Sequence, residues 1–207
     1  MTTRGLTLSL AGLIFALVCV FWVDQSVMEW LDHVSVLIPL HGMIKLFGKG
    51  GVHGAAFLLI LLVGGWQRRQ QWLRVGAIGL IGLIATGLVV RVIKILVGRA
   101  RPGLHLGTLT FFGPSLGYEH NSFPSGDAAG SFFVAHFLSG WNPWLGPILY
   151  PLAGLIAVTR VFDHAHFPSD ILIGAMIGVV VASYALRRVR QPTSSPSREP
   201  SQFQAPS

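Results

Sequence analysis

Three short groups of polar residues interrupt a chain that is otherwise largely apolar. They are Lys94 with Arg101, then Pro124-Ser125-Gly126, and then Arg160, His166 and Asp170. Lysine and arginine side chains neutralise phosphate oxygens, and arginine does so with two hydrogen bonds at once. A histidine whose tautomer is fixed by a carboxylate can act as a nucleophile. These residue types predict chemistry on a phosphate group.

The Pro124-Ser125-Gly126 turn stands directly before an apolar run that begins near Ala128, an order that predicts the start of a helix. The first amides of a helix have no partner within it and lie at the positive end of its dipole, so they bind anions. Ser125 and the amides of Gly126 and Asp127 are therefore candidates for a phosphate cradle. Considered alone, the motif is equally consistent with an ordinary capped turn.

Lys94 and Arg101 lie seven residues apart. They would share one face, two turns apart, if the preceding helix continued that far. A cation near the end of an apolar span is costly unless it meets an anion, which makes Lys94 a candidate phosphate ligand. The alternative is that both are interfacial anchors, as Arg99 beside them is expected to be. Arg91, one turn deeper in the span, could be either a phosphate ligand or an anchor.

His166 and Asp170 lie four residues apart at the predicted start of the last helix, and Arg160 precedes them. On a helix this spacing lets the carboxylate hold the imidazole and leaves its other nitrogen free to attack. One alternative is a capping network in a wet loop. Another is a metal pair of His164 and His166 beside Asp163, which the neighbouring cations disfavour.

The composition indicates where these groups lie. Of 207 residues, 52% are hydrophobic and 11% charged, against roughly 25% charged in soluble domains. The sequence therefore predicts an integral membrane protein. The net charge of +7 does not indicate nucleic-acid binding, because the cations lie at the ends of apolar runs and form no basic face. Cys19 is the only cysteine, so no intrachain disulfide can form.

The predicted fold is an all-α, polytopic membrane protein with six transmembrane helices in one domain, 1–190. The spans are expected at about 6–23, 52–66, 72–97, 126–140, 144–159 and 169–186. The first is expected to be a retained helix and no signal peptide, because it is long enough to span and no cleavage site follows it. The segment 34–47 could form an interfacial amphipathic helix. The Pro- and Ser-rich tail, 191–207, is expected to be disordered and cytoplasmic.

Charge sets the predicted orientation. Arg4, the 67–74 loop and the arginines at 187–190 fall on one side of a six-span layout, and every acidic residue except Glu199 falls on the other. Positive charge marks the cytoplasmic side. The termini are therefore expected in the cytoplasm and the three polar groups on the periplasmic or outer face, with a bacterial inner membrane as the expected location.

The three groups combine into one mechanism if they meet. Lys94, Arg101 and Arg160 would neutralise phosphate oxygens while the helix amides complete the cradle. His166 would attack phosphorus in line with the leaving oxygen, and water would hydrolyse the phosphohistidine. The cations supply the charge stabilisation, so no metal and no cofactor are expected.

The three motifs resemble those of the type 2 phosphatidic acid phosphatases. Lys94 to Pro102 matches the pattern KX6RP, Pro124 to Asp127 resembles PSGH, and Thr159 to Asp170 resembles SRX5HX3D. The resemblance implies a six-helix membrane fold and metal-independent removal of phosphate from lipids. It further implies phosphate binding by Lys94, Arg101, Ser125, Gly126 and Arg160, attack by His166 and orientation by Asp170. The soluble vanadium haloperoxidases share the motifs, but the apolar spans set this chain apart from them.

Two positions depart from the family pattern. Thr159 replaces a serine, and Asp127 replaces the histidine that protonates the leaving group. An aspartate beside three cations is expected to be ionised and therefore to be a poor general acid. Asp127 could be kept protonated by burial, or His164 could supply the proton. The third interpretation is that the leaving group needs little help, as when a diphosphate releases phosphate.

The candidate substrates are phosphatidate, phosphatidylglycerol phosphate, polyprenyl diphosphate and lipid A types. A phosphotransferase that passes the phosphate to another lipid is one alternative to a hydrolase. A non-catalytic protein that binds lipid phosphates in the membrane is the other, and the Asp127 substitution is the feature that favours it.

Overall fold

The computed structural model describes residues 14, 15, 18–33 and 41–191, and within them the regular structure is helical apart from one isolated bridge between Arg99 and Phe111. A π-helical turn, Cys19–Val23, leads into the first α-helix. The α-helices are α1 Asp24–His33, α2 His41–Phe47, α3 Gly50–Trp66, α4 Gln70–Val97, α5 Gly126–Trp141, α6 Gly146–Phe162 and α7 Pro168–Arg190.

Three of these helices are long and apolar enough to cross a membrane: α4, α7, and α6 taken with the short turn before it, Pro143–Phe162. Helix α3 is apolar but shorter. Helix α5 has 16 residues and measures about 24 Å, below the roughly 30 Å of a bilayer core. Most of the first predicted span and nearly all of the predicted disordered tail lie outside the described residues. The all-helical membrane fold is confirmed, whereas the six-span count stays a prediction.

The core lies around α5, where α3, α4 and α7 meet it. Phe133 and Phe137 of α5 stack with their ring centroids 5.6 Å apart. Phe57 of α3 meets them edge-on, at 6.0 and 5.6 Å. All three rings are fully buried and belong to one cluster with Val75 of α4 and Ala182 of α7. Helix α5 is thus the central element, which explains how a segment shorter than a bilayer is held in the bundle.

Helices α5 and α7 approach each other closely because α7 carries glycines at the contact. A Cβ on Gly174 would lie 2.4 Å from the Ser125 carbonyl oxygen, and a Cβ on Gly178 would lie 2.2 Å from that of Ala129. Small residues spaced four apart allow membrane helices to pack backbone to backbone. As a result the two helices start side by side, and the Ser125 amide donates a hydrogen bond to the Asp170 carbonyl at 2.9 Å.

Helix α4 ends at Val97, so it does not continue to Arg101, and the condition under which Lys94 and Arg101 would share one helical face is not met. Gly98 has φ +59°, a conformation that only glycine adopts readily. A Cβ there would lie 1.9 Å from the Gly113 carbonyl oxygen. The chain turns at this point and is held by a second segment, whose Phe112 amide donates to the Gly98 carbonyl at 2.9 Å. This turn sends Arg99 inward.

Candidate active site

The start of α5 has the form that the sequence predicted. Ser125 is the N-cap residue, is fully buried, and accepts a hydrogen bond from the Ala128 amide at 3.4 Å. Gly126 is the first helical residue and Asp127 the second. The free amides of this first turn are available to an anion.

Lys94 connects the end of α4 to the segment that leads into this helix start. Its Nζ donates to the Asn121 carbonyl and, at 3.3 Å, to the Ser122 carbonyl. Lys94 thus holds the segment directly before Pro124-Ser125-Gly126 against the end of α4.

Arg101 makes the second connection. Its Nε donates to the Tyr118 carbonyl at 3.0 Å and one Nη to the Ala165 carbonyl at 3.3 Å. The guanidinium also lies 3.9 Å from the centroid of the Tyr118 ring, a cation–π geometry. Ala165 directly precedes His166, so Arg101 brings the first group to the third.

Arg160 is nearly buried and is paired with two carboxylates. Its Nε lies 2.8 Å from Asp127 Oδ2, and its Nη1 donates to Asp163 Oδ2 at 2.6 Å. Lys45 of α2 lies 2.9 Å from the same Asp163 oxygen. Asp127, the residue that departs from the family motif, therefore sits against the arginine that the resemblance assigns to phosphate.

His166 is 3% exposed and lies before α7, which begins at Pro168. Its Nδ1 is 3.7 Å from Asp170 Oδ2. The two residues were expected to share a helix, but only Asp170 lies within one. They meet because the Asp170 side chain folds back and accepts a hydrogen bond from the Phe167 amide at 2.9 Å. Burial lowers the pKa of His166, and the charges of Lys94 and Arg101 act in the same direction while Asp170 opposes them. The imidazole is therefore neutral at neutral pH, as a nucleophile must be.

Asp170 is fully buried and held from several sides. Its Oδ1 accepts Arg99 Nη1 at 2.6 Å, and its Oδ2 accepts the hydroxyl of Ser122 and the Phe167 amide. The carboxylate that faces His166 is thus fixed by donors from three separate segments. The carboxylate that faces His166 is therefore also the one that caps the start of α7, as the sequence allowed.

Arg99 is the residue that the sequence analysis misjudged. It is 1% exposed and no interfacial anchor. Besides Asp170, its guanidinium donates to Asp24 Oδ2 at 2.8 Å, to Ser169 Oγ at 2.8 Å and to the Thr108 carbonyl at 2.7 Å. It also lies 4.1 Å from the centroid of the Phe167 ring. An available signal was Asp24, an acid directly after an apolar run, which requires a cation if it is buried.

Asp24 is fully buried and only accepts hydrogen bonds. Its Oδ1 accepts the Ser169 amide at 2.9 Å, and its Oδ2 accepts the Ser169 hydroxyl at 2.5 Å as well as Arg99. Burial raises the pKa of Asp24, while the hydrogen bonds from Ser169 and the charge of Arg99 oppose that shift. Because every contact is a donor to it, the contacts favour the ionised carboxylate. No sequence pattern predicted a role for this residue.

His164, the predicted auxiliary proton donor, lies against α1. Its Nε2 is 3.1 Å from Asp32 Oδ1, and its backbone has φ +51°. Its part in proton transfer stays a prediction. Among the described residues, no three His, Cys, Asp or Glu side chains come together as a metal-binding group.

Comparison with known proteins identifies the class. The family model described as PAP2 superfamily matches residues 75–193, more than half of the chain, and the chain belongs to that superfamily. The match includes all three motifs and excludes α1, α2 and α3.

Two relatives illustrate the similarity. The lipid A 1-phosphatase of Porphyromonas gingivalis is 27% identical over 155 residues, which cover 73% of this chain but only 29% of that protein. The decaprenylphosphoryl-5-phosphoribose phosphatase of Mycobacterium tuberculosis is 31% identical over 155 residues, which cover 72% of this chain and 82% of that protein. The chain therefore spans less than a third of the first relative and most of the second.

A solved structure shows the same fold. The crystal structure of a transmembrane PAP2 type phosphatidylglycerolphosphate phosphatase from Bacillus subtilis superposes with a TM-score of 0.66, covering 87% of this chain and 92% of that one at 22% identity. At this identity the likeness concerns the fold alone.

Proposed function

We propose that the protein is a membrane phosphatase that removes phosphate from a lipid through a covalent intermediate on His166. One observation carries the proposal. The buried His166 imidazole faces Asp170 at 3.7 Å and is acted on by the charges of Lys94 and Arg101. Its backbone amide donates to the Arg160 carbonyl at 3.2 Å, and the Ser125 amide at the start of α5 donates to the Asp170 carbonyl at 2.9 Å. Membership of the PAP2 superfamily supports it.

In the proposed mechanism Lys94, Arg101 and Arg160 neutralise the phosphate oxygens, and Ser125 with the Gly126 and Asp127 amides completes the cradle. Since Nδ1 of His166 faces Asp170, Nε2 is the attacking nitrogen. A bond forms between Nε2 and phosphorus while the bond from phosphorus to the lipid oxygen breaks, and that oxygen leaves with the electron pair. Water then attacks phosphorus, which releases inorganic phosphate and restores the imidazole.

The names of the relatives support a phosphorylated lipid as substrate. They describe phosphatases for lipid A, for a decaprenyl-linked phosphoribose and for lipid phosphates. What these substrates share is a phosphate attached to a membrane-embedded molecule. That is the substrate class proposed for this chain, and no cofactor is invoked.

A lipid diphosphate is a second candidate, and the contact between Asp127 and Arg160 favours it. At 2.8 Å Asp127 Oδ2 faces the Arg160 guanidinium as an acceptor, which leaves the carboxylate badly placed to give a proton to a leaving oxygen. A leaving alkoxide needs a proton, whereas a leaving phosphate needs much less help. Diphosphates would therefore react faster than simple phosphate esters at this site.

The central test is phosphate release by purified protein from a panel of lipid monophosphates and diphosphates. We expect His166→Ala to abolish release while the protein stays folded in detergent, because the nucleophile is lost. His33→Ala, an exposed histidine on α1, is the matched control and should retain full activity. Release by His166→Ala at the wild-type rate would overturn the mechanism.

The same assay separates the alternatives. A phosphotransferase would release little phosphate but would form a phosphorylated product when an acceptor lipid is supplied. A non-catalytic binder would retain phospholipid head groups and release no phosphate from any lipid in the panel.

The role of Asp127 is tested by Asp127→His, which restores the family motif. We expect the monoester-to-diphosphate ratio of kcat/KM to rise by about tenfold or more, because a histidine can protonate an alkoxide. Asp127→Asn should keep most diphosphate activity. If Asp127→Asn instead loses activity on both substrate types equally, Asp127 is itself the acid.

A further inference from the structure

We propose that Asp24 and Arg99 are positioning residues that hold Asp170, and through it His166, in the geometry required for attack. The inference rests on the proposed function and extends it to residues outside the three motifs. Asp24 also lies outside the region that the family model matches, 75–193.

The contacts form one continuous line from the first described helix to the nucleophile. Asp24 Oδ2 accepts Arg99 Nη2 at 2.8 Å, Arg99 Nη1 donates to Asp170 Oδ1 at 2.6 Å, and Asp170 Oδ2 lies 3.7 Å from His166 Nδ1. The two terminal nitrogens of the guanidinium donate to different carboxylates. The planar, rigid fork of arginine thereby fixes the distance and angle between the two acids.

Ser169 locks the same arrangement. Its hydroxyl accepts from Arg99 Nη1 at 2.8 Å and donates to Asp24 Oδ2 at 2.5 Å, and its amide donates to Asp24 Oδ1 at 2.9 Å. Since Ser169 and Asp170 are adjacent in the first turn of α7, Asp24 anchors the turn that carries the carboxylate facing His166.

Charge counting gives the network a second role. Arg99 alone would cancel the charge of Asp170 and weaken its effect on His166. With Asp24 ionised, the three groups carry two negative charges and one positive charge, a net charge of −1 beside the imidazole. Attack on phosphorus develops positive charge on that ring, and a fixed negative charge next to it stabilises the transition state.

Stability alone is a poor explanation for this network. A buried ion pair gains little over well-packed apolar residues of the same size, because desolvating both charges is costly. The burial of two carboxylates with one guanidinium is better explained by a role in fixing the position of the Asp170 carboxylate. Placement within a fraction of an ångström is what catalysis requires.

The experiment compares Asp24→Asn and Arg99→Gln with the wild type. We expect kcat to fall about tenfold to a hundredfold in each, as for outer-shell partners of other active-site groups, with KM nearly unchanged because neither residue is proposed to touch substrate. Glu29→Gln, which neutralises an exposed acid on the same helix, is the matched control and should leave kcat unchanged.

A titration of His166, followed by histidine NMR with His166→Ala for assignment, gives a readout that a merely structural role would not move. Removing the negative charge of Asp24 should shift the titration midpoint to lower pH, and removing the positive charge of Arg99 should shift it to higher pH. The other charged groups near the ring, Lys94, Arg101 and Asp170, are the same in all variants, so opposite shifts identify the network.

Equal titration in wild type and both variants, or unchanged kcat, would overturn the positioning role. If either charge variant fails to fold, Ser169→Ala replaces it; we expect a several-fold lower kcat with an unmoved midpoint, and wild-type kcat there would also count against the role. A wild-type chain that releases no phosphate would overturn the proposed function, and the titration would still test the network.

Discussion

The positive charge of Arg160 is already paired with carboxylates of the protein. It contacts Asp127 at 2.8 Å and Asp163 at 2.6 Å, and Lys45 lies 2.9 Å from Asp163. If Arg160 binds phosphate as proposed, the phosphate meets a guanidinium whose Nε and Nη1 already face carboxylates and competes with them for this cation. Lys45 would stabilise Asp163 if the phosphate displaced that carboxylate.

The protonation state of His166 gives a pH prediction. Burial lowers the pKa of His166 from its ordinary value of 6.5, and only the neutral ring attacks. Activity should rise as the pH rises through this lowered pKa, so the acid limb of kcat/KM should have its midpoint below 6.5. The check is a pH profile of kcat/KM, which reports groups of the free enzyme. A midpoint above 6.5 would contradict the lowering of the His166 pKa by burial and by the charges of Lys94 and Arg101.

Sequence alone identified the residues that meet at the site but not all of their partners. Lys94, Arg101, Ser125, Arg160, His166 and Asp170 could be chosen because each belongs to a spaced motif. Arg99 lies between two motif cations and was taken for an anchor, because its burial depends on Asp24, 75 residues earlier in the chain. A contact of that separation leaves no local pattern.

At the scale of the elements, the contact between α5 and α7 sets the geometry of the site. The helix that offers its amides and the helix that carries Asp170 begin side by side, joined by the hydrogen bond from the Ser125 amide to the Asp170 carbonyl. Gly174 and Gly178 permit this approach. The close approach of the proposed phosphate cradle to the helix start that carries Asp170 therefore depends on the absence of two side chains.

Gly174→Ala tests this dependence. A Cβ placed 2.4 Å from the Ser125 carbonyl oxygen should push the two helix starts apart, with an overpacking cost of about 1–3 kcal/mol. A displacement near 1 Å can lower a rate by about a hundredfold, so kcat should fall by about that factor while the fold persists. Phosphate release and thermal unfolding in detergent measure the two effects.

Gly154→Ala on α6 is the control for that experiment, since a Cβ there meets no atom within 4 Å. It should leave the rate unchanged and keep or raise the melting temperature, because alanine favours a helix over glycine. Similar losses in both variants would mean that the contact between α5 and α7 is not what positions the site.

The helices themselves were largely predictable, because apolar runs bounded by Pro, Gly and charged residues mark them. The end of α4 was among them, because the third span was expected to end at about 97. The sequence could not show the left-handed turn that follows at Gly98, because that turn is fixed by the Phe112 amide and the Gly113 carbonyl in a later segment.

On the scale of the whole molecule, the two ends of the bundle differ in charge. Arg74 and Lys94 lie near opposite ends of the 28-residue helix α4, about 30 Å apart at 1.5 Å per residue. The first end holds Arg74 and Arg190, which donate to backbone carbonyls there. The second end holds the candidate site with both signs of charge. This asymmetry is the basis for the proposed cytoplasmic position of the first end.

Cysteine labelling tests the orientation. Cys19 is the only native cysteine and is buried, so single additions can be followed against a low background. We expect Leu116→Cys, on the exposed loop near the site, to react with a membrane-impermeant maleimide in intact bacterial cells. Gln67→Cys, in the exposed turn between α3 and α4, should react only after lysis. Labelling of Gln67→Cys in intact cells would show that the 67–74 loop is not cytoplasmic and would contradict the proposed topology.

The contact between Asp24 and Arg99 also limits how far the protein can be shortened at its N-terminal end. A shortened chain, 41–191, would keep every motif residue, yet it would enclose the Arg99 guanidinium with one of its two counter-charges missing. Removing one partner from a buried pair costs about 3–5 kcal/mol, a large share of the stability of a typical domain. Truncations and fusions should therefore begin before the π-helical turn, and the motif-bearing part should not be taken as a unit that folds by itself.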